Sequence, residues 1–203
     1  MAGLDLGFVP GEEGRDTQSI LAGAQDGTIK TVYLLGADEI DTAKLSKAFV
    51  IYQGSHGDAG AHCADVVLPG SAYTEKSGLY VNMEGRVQLG MPAVPPKGEA
   101  KEDWAIIRAL SAHVERVLPY DNLEALREVL FTDHPSFASL DNVEVTADAV
   151  FDIGMLGEAG NVSSAPLRHA IKDFYLTNPI ARASQVMAEC SELAQSTHKE
   201  AAE

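Results

Sequence analysis

Three short, largely apolar runs lie within the first 70 residues of the chain. They are residues 31–35 (TVYLL), 48–52 (AFVIY) and 65–68 (DVVL), and a glycine follows each run within two positions. Unbroken runs of this kind are typical of parallel strands that are buried on both faces. Residues 38–47 are long enough for a crossover helix, and residues 56–64 for a helical turn. The sequence therefore predicts a partial, doubly wound, mostly parallel α/β sheet.

The pattern changes after residue 69. Residues 80–83 and 86–89 flank the pair Glu84-Gly85. A glycine at the second position of a two-residue loop is typical of a β-hairpin. The sequence therefore predicts an antiparallel hairpin beside the parallel sheet.

Two helices are expected around these strands. Residues 17–25 carry apolar side chains on one helical face, and Gly27 is the expected end point. Residues 99–117 have apolar residues at helical spacing and acidic residues near the start, which predicts an amphipathic helix.

The rest of the chain has the pattern of a mixed, mainly helical extension. Asp121 and Glu124 fit a capping box in front of a helix. Asn178 followed by Pro179 predicts a further helix start, because Asn caps well and Pro fits the first helical position.

Composition excludes several classes of protein. The 203 residues are 45% apolar, which is enough for one sizeable core. Lys and Arg total 15 against 30 Asp and Glu, so the net charge is −15. An acidic surface repels nucleic acid and anionic lipid, so no nucleic-acid partner is expected. No stretch approaches the roughly 18 apolar residues of a spanning helix, and no signal peptide is visible. We therefore expect no direct membrane insertion and an intracellular protein.

The two cysteines, Cys63 and Cys190, are far apart and fit no metal-binding spacing. Iron–sulfur clusters and structural zinc sites need about four ligands, most of them thiolates. Cysteine alone therefore cannot hold either group here, and the absence of a disulfide pattern favours a reducing compartment.

The glycine-rich residues 53–62 follow a predicted strand, which is where open α/β sheets bind ligands. The spacing is neither a dinucleotide fingerprint nor a P-loop, so a tight turn between packed elements is favoured over a ligand contact. His56, His62, Asp58 and Asp65 match no usual metal motif and are expected to be loop residues. Cys63 beside His62 is expected to be a buried, inert thiol, since sequence neighbours make poor catalytic partners.

Charged residues around the hairpin are a second candidate site. Neither a nucleophile elbow nor a Ser-x-x-Lys motif surrounds Ser71, Glu75 and Lys76. Glu75 and Arg86 each lie in a glycine-punctuated region. We expect them to form an ion pair that fastens the hairpin to the sheet.

Several short motifs occur in one order with tight spacing. They are residues 64–69 (ADVVLP), 75–78 (EKSG) and 82–88 (NMEGRVQ), preceded by residues 33–41 and followed by residues 171–184. Together they resemble the molybdopterin oxidoreductase superfamily. The particular form is similar to its relative without molybdenum, the large iron–sulfur subunit (the G subunit) of respiratory complex I, NADH-quinone oxidoreductase.

This resemblance implies a role for the motif residues. In superfamily members that carry the cofactor, the corresponding elements lie near a pterin nucleotide. The matching residues here are Glu75, Lys76, Gly78, Asn82, Glu84, Gly85 and Arg86. Complex I relatives have kept the fold and lost the cofactor. These residues are therefore expected to be structural remnants, with no catalytic residue and no metal ligand in this segment.

The resemblance also implies a place in a larger protein. The family's 2Fe–2S and 4Fe–4S clusters belong to an N-terminal region that this chain lacks. Residues 1–118 correspond to the molybdopterin-oxidoreductase-like α/β region, incomplete at its N-terminus, and residues 119–203 to the C-terminal extension of the complex I protein. The implied function is structural and docking, in the peripheral arm that carries electrons from NADH to quinone.

The implied partners are other peripheral-arm subunits. The implied location is the cytoplasmic side of the bacterial inner membrane or the matrix side of the mitochondrial one. Two alternatives stay open: a fragment of a molybdopterin-dependent enzyme that binds a pterin guanine dinucleotide, and a free-standing acidic α/β binding module.

Overall fold

The computed structural model describes residues 1–12, 14–143, 160–161, 163–166, 171 and 173–200, with the backbone alone for 197–200. The chain divides into two compact units, residues 1–143 and 144–203. In the first unit, the elements in chain order are α1 (Ala2–Asp5), α2 (Thr17–Asp26), β1 (Thr31–Leu35), a 3₁₀ turn (Thr42–Leu45), β2 (Phe49–Gly54), α3 (Ala59–Cys63), β3 (Val66–Pro69), β4 (Gly78–Val81), β5 (Val87–Gly90), α4 (Asp103–His113), α5 (Leu123–Asp133) and a second 3₁₀ turn (Pro135–Ala138).

The predicted parallel sheet is confirmed. Its strand order is β1-β2-β3 with both pairs parallel, and Thr31 pairs with Phe49 while Ile51 pairs with Val66. One face packs against α2, the first 3₁₀ turn and α3, and Val50 and Tyr52 on this face are each 1% exposed.

The expected burial of both sheet faces is wrong. On the opposite face, Leu35 and Phe49 are 54% and 47% exposed. The sequence runs are largely apolar on both faces, but a covering layer of helices packs on only one side in the described part of the chain.

The predicted crossover helix at residues 38–47 is also wrong, since only the 3₁₀ turn forms there. Asp38 is the reason. Its two carboxylate oxygens accept hydrogen bonds from the Tyr52 hydroxyl at 3.0 Å and the Gly60 amide at 2.8 Å. These contacts with residues more than ten positions away hold the start of the segment in a non-helical path, while Leu45 packs into the core.

The hairpin forms from β4 and β5, but its connection is longer than the predicted two residues. Val81 pairs with Val87, so five residues, 82–86, lie between the strands. The Asn82 side chain closes this longer turn, because its Oδ1 accepts from the Glu84 amide at 2.9 Å and the Arg86 amide at 3.0 Å.

The amphipathic helix α4 is shorter than predicted at both ends. At its start, Lys101 is held in an extended pairing with the end of β3, since its amide donates to the Pro69 carbonyl at 3.1 Å and its carbonyl accepts from the Ser71 amide at 2.8 Å. At its end, Glu115 adopts a positive φ of 57°. The helix therefore spans Asp103–His113.

The cap of α5 lies one residue after the predicted one. Asn122 Oδ1 accepts from the Ala125 amide at 2.8 Å, whereas Asp121 pairs with the Arg108 guanidinium at 2.7 Å. The predicted α2 is confirmed, and it ends at Gly27 with a left-handed φ of 86°.

The second unit contains α6 (Pro179–Arg182) and α7 (Gln185–Glu200). The predicted Asn178 cap is confirmed, with Asn178 Oδ1 accepting from the Ala181 amide at 2.9 Å. Within the described residues, no helix is long and apolar enough to cross a membrane.

Candidate functional site

The carboxyl end of the parallel sheet, where α/β proteins bind ligands, is occupied by the side chain of Tyr52. Its hydroxyl donates to the buried carboxylate of Asp38, and Asp38 in turn accepts from the Gly60 amide. Burial, followed by the hydrogen bond with Asp38 and its charge, raises the pKa of Tyr52 well above its usual value. The phenol is therefore a neutral, fixed group of the core.

Two glycines, one at the end of β2 and one in α3, provide the space that this ring fills. A Cβ on Gly54 would lie 2.4 Å from the Tyr52 hydroxyl, and a Cβ on Gly60 would lie 2.5 Å from the ring. Distances this short require one of the groups to move. This packing supports the expectation that the glycines serve a tight turn between packed elements.

The neighbouring residue, Gln53, connects three segments of the fold and is fully buried. Its Oε1 accepts from the Tyr33 hydroxyl, and its Nε2 donates to Asp103 Oδ1 at 2.7 Å. Lys76 forms an ion pair with the other oxygen of Asp103. Burial, and then the negative charge of Asp103, raises the pKa of Tyr33. The four side chains form one polar network that joins β1, β2, the start of α4 and the segment before β4.

Two residues that follow β3, Gly70 and Ser71, lie next to this network. Gly70 allows the Asp103 carboxylate to approach the sheet, since a Cβ on Gly70 would lie 3.1 Å from Asp103 Oδ1. Ser71 is 2% exposed, and its Oγ has no hydrogen-bond partner among the described residues.

The polar side chains in the first part of the motif, residues 75–78, contact other groups of this chain. Glu75 Oε2 accepts from the Ala72 amide at 3.0 Å and closes a turn, while Lys76 binds Asp103. A Cβ on Gly78 would lie 3.3 Å from the Tyr80 ring. These residues therefore shape the backbone between β3 and β4.

The second part of the motif builds the hairpin turn. Asn82 holds the amides of Glu84 and Arg86, and Gly85 has a left-handed φ of 84°. The Arg86 guanidinium donates to the Asp141 carbonyl at 2.6 Å and lies 3.6 Å from the Glu84 carboxylate. The expected Glu75–Arg86 ion pair is therefore wrong, because both side chains bind closer backbone and side-chain groups.

A shallow groove of about 490 Å³ lies beside Glu75. It is lined by Glu75 and Glu102 together with the proline-rich segment 92–96. The two carboxylates repel an anionic phosphate, and the lining residues include no cation that could bind one.

The histidines and Cys63 also contact nearby groups. His56 Nδ1 lies 2.9 Å from Ser55 Oγ, and His62 Nδ1 lies 2.8 Å from the Asp58 carbonyl oxygen. Cys63 is half-buried, its thiol donates to the Gly60 carbonyl at 3.2 Å, and burial raises its pKa. The part of the chain that the structure describes contains no group of three or more His, Cys, Asp or Glu residues placed to hold a metal ion.

Arg127 on α5 was not expected from the sequence. Its guanidinium donates to Ser77 Oγ at 2.8 Å, and Ser77 Oγ donates to the Gly90 carbonyl at 3.2 Å. Arg127 lies 50 residues from Ser77, so no local sequence pattern marks the contact.

Matches to protein-family models identify the family of this chain. A family model described as molybdopterin oxidoreductase matches residues 1–113, which is more than half of the chain. The chain belongs to the molybdopterin oxidoreductase family. A second model, which describes the C-terminal region of the NADH-ubiquinone oxidoreductase G subunit, matches residues 143–190. Both parts of the resemblance inferred from the sequence are therefore confirmed.

Curated relatives of this molybdopterin oxidoreductase family member share its sequence over most of its length. The NADH dehydrogenase [ubiquinone] iron-sulfur protein 1 from Solanum tuberosum is 43% identical over 95% of this chain and 25% of its own length. The NADH-ubiquinone oxidoreductase 78 kDa subunit from Candida albicans is 45% identical over 94% of this chain and 26% of its own length. The 75 kDa subunit from Reclinomonas americana is 45% identical over 80% and 23%. The chain thus spans about a quarter of the length of these relatives.

Among solved structures, the acetylene hydratase from Pelobacter acetylenicus aligns with a TM-score of 0.43 and 21% identity. The alignment covers 49% of this chain and 16% of the hydratase.

Proposed function

We propose that this chain is the C-terminal structural and docking region of the large iron–sulfur subunit of NADH:quinone oxidoreductase. The observation that carries the proposal is the similarity over 94–95% of the chain to mitochondrial subunits of this enzyme. The activity belongs to the whole assembly. In it, this region would hold the large subunit together and contact neighbours.

The region itself holds no redox centre in this proposal. Its two cysteines are separate and half-buried, and the Cys63 thiol has a raised pKa, which disfavours the thiolate that a cluster requires. The iron–sulfur clusters would reside on sequence outside this chain.

The vestigial motif residues also bind no pterin nucleotide in this proposal. Their polar groups are directed to the chain's own backbone and to Asp103, and the adjacent groove presents two carboxylates. A dinucleotide would need cations and free amides facing one cavity. The residues therefore fit a turn and an ion-pair anchor and do not fit a cofactor cradle.

The partners in this proposal are other peripheral-arm subunits, on the matrix side in mitochondria or the cytoplasmic side in bacteria. The proposed boundary near residue 118 separates the α/β region from the family-specific extension. The names of the relatives support the first point. The boundary near residue 118 lies between the two family matches, residues 1–113 and 143–190, whereas the compact structural unit continues to residue 143.

The direct test combines assembly with metal analysis. The chain is produced with an affinity tag in cells whose own large subunit lacks the matching region, and the respiratory complex is purified through the tag. We expect recovery of the complex together with NADH:quinone activity. We expect the chain purified alone to contain fewer than about 0.1 iron atoms per molecule. A near-stoichiometric iron and acid-labile sulfide content in the isolated chain contradicts the proposal.

The second candidate is a fragment that binds a pterin guanine dinucleotide, and the match of residues 1–113 to the molybdopterin oxidoreductase model favours it. Denaturing the purified chain distinguishes the two. Released guanine nucleotide, with molybdenum or tungsten in the same sample, supports the second candidate. Their absence supports the first.

A further inference from the structure

The second face of the parallel sheet is an open apolar surface. Register places alternate residues of the three strands on it, with Leu35 from β1, Phe49 from β2 and Val66 from β3. Their exposed fractions are 54%, 47% and 38%. Tyr33 and Ile51, which lie between them, are half-buried. We call these five residues the open sheet face.

This exposure is unusual for the type of sheet. Parallel sheets occur almost only with both faces covered, because each face exposes a layer of large aliphatic side chains. The covered face of the same strands shows the normal situation, with Val50 and Tyr52 each 1% exposed. Large apolar patches that remain exposed mark interaction surfaces.

One position on this side of the sheet is already covered. Gln53, at the carboxyl end of β2, is fully buried and bonded to Asp103 at the start of α4. Its neighbour Leu35 on β1 is 54% exposed, so the accessible part includes the end of β1 and extends to Phe49 and Val66 at the amino ends of β2 and β3. An amphipathic helix that crosses the strands there would bury both side chains.

We infer that the open sheet face binds an amphipathic helix of the same large subunit, carried by sequence outside these 203 residues. The inference rests on the proposed function. The relatives support it, because about three-quarters of the length of the Solanum tuberosum protein lies outside the region that this chain matches. A helix with an aliphatic stripe is the partner that a parallel sheet face accepts.

Adjacent valines on β3 provide a matched test. Val66 lies on the open sheet face, whereas Val67 lies on the opposite face and is 51% exposed. The two substitutions Val66→Glu and Val67→Glu therefore add the same charge at neighbouring, solvent-accessible positions. Phe49→Glu and Leu35→Glu test the same face on other strands. Circular dichroism and thermal unfolding of each isolated variant establish that it folds.

The probe is the part of the Solanum tuberosum protein outside the matched region, produced with an affinity tag in cells that also produce this chain. We expect the unaltered chain and Val67→Glu to be recovered with the probe in similar amounts. Recovery of Val66→Glu and Phe49→Glu should fall about tenfold or more, because each variant buries a carboxylate against an apolar helix.

Three outcomes overturn the inference. Equal recovery of Val66→Glu and Val67→Glu overturns it and leaves the proposed function standing. Failure to recover the unaltered chain overturns it together with the proposed function. Sedimentation of the isolated chain as a dimer that Val66→Glu converts to a monomer identifies a second copy as the occupant of the face, and that also overturns it.

Discussion

At the scale of single residues, Tyr52 is the most firmly held side chain near the carboxyl end of the sheet. It is 1% exposed, and its hydroxyl donates to Asp38. Because the phenol is buried, its ionisation and the stability of the fold are linked.

Replacing Tyr52 with Phe tests this linkage. The pKa of Tyr52 is raised in the folded state, so its stabilising contribution is complete below the ordinary tyrosine pKa of about 10 and is lost as pH rises toward the folded value. Tyr52→Phe should lower the free energy of unfolding by about 1–2 kcal/mol at pH 7, since Asp38 loses a donor. It should also reduce the loss of stability between about pH 9 and 11.

Urea unfolding across this pH range measures both effects, with the exposed Tyr73→Phe as the control. The Tyr33 pKa is raised as well, so part of the alkaline slope should remain in Tyr52→Phe. An alkaline slope identical to that of the unaltered chain contradicts the prediction.

The ion pair between Lys76 and Asp103 is the second residue-scale feature with a measurable consequence. Both side chains are partly shielded, at 24% and 30% exposure. A double-mutant cycle with Lys76→Met and Asp103→Asn should give a coupling free energy of about 1 kcal/mol, because Asn preserves the acceptor for Gln53 and removes only the charge. The Glu84–Arg86 pair, at 3.6 Å and more exposed, is the comparison cycle and should give less than about 0.5 kcal/mol. Equal coupling in the two cycles argues against an anchoring role for Lys76.

At the scale of helices and strands, local patterns predicted what local interactions determine. The strands β1 and β2 and the helix α2 follow from continuous apolar runs and from a glycine stop. The missing crossover helix and the late start of α4 depend on Asp38 and Lys101, whose partners are more than ten residues away. No helical periodicity encodes such contacts.

In the candidate site, too, the sequence indicated the residues but not their distant contacts. The motif residues were found from their order and spacing, but their partners were not, since Gln53 lies 50 residues and Lys76 lies 27 residues from Asp103. The expected partner of Arg86 was wrong for a related reason. A five-residue turn brings its own carboxylate, Glu84, within reach.

The cap of α5 allows a direct comparison of two adjacent residues. Asn122→Ala should destabilise the chain by about 1 kcal/mol, because the Ala125 amide loses its acceptor. Asp121→Ala should have a smaller effect, since the Asp121 side chain is 85% exposed and only pairs with Arg108. Thermal or urea unfolding of the two variants measures the difference. A larger loss for Asp121→Ala would favour the capping box predicted from the sequence.

At the scale of the whole molecule, residues 119–143 matter for the stability of the α/β region. Phe137 is 2% exposed, Leu140 forms a bridge with Val87, and the Asp141 carbonyl accepts from Arg86. With the Arg127–Ser77 contact, these interactions fasten the segment to the hairpin.

Two shortened chains test this dependence. A chain of residues 1–143 comprises a complete compact unit and should unfold within a few degrees of the full chain. A chain of residues 1–118 loses the burial of Phe137 and should unfold about 10 °C lower, since deleting a buried aromatic costs about 3 kcal/mol. Differential scanning calorimetry measures both midpoints. Equal midpoints would support an independent domain that ends near residue 118.

The turn closed by Asn82 bears on how a signature sequence is interpreted. One carboxamide oxygen organises two amides and thereby fixes the path of five residues. This backbone requirement is the same whether or not a small molecule lies nearby. The N-x-E-G-R string alone therefore reports a five-residue turn and does not by itself establish molybdenum chemistry in a genome survey.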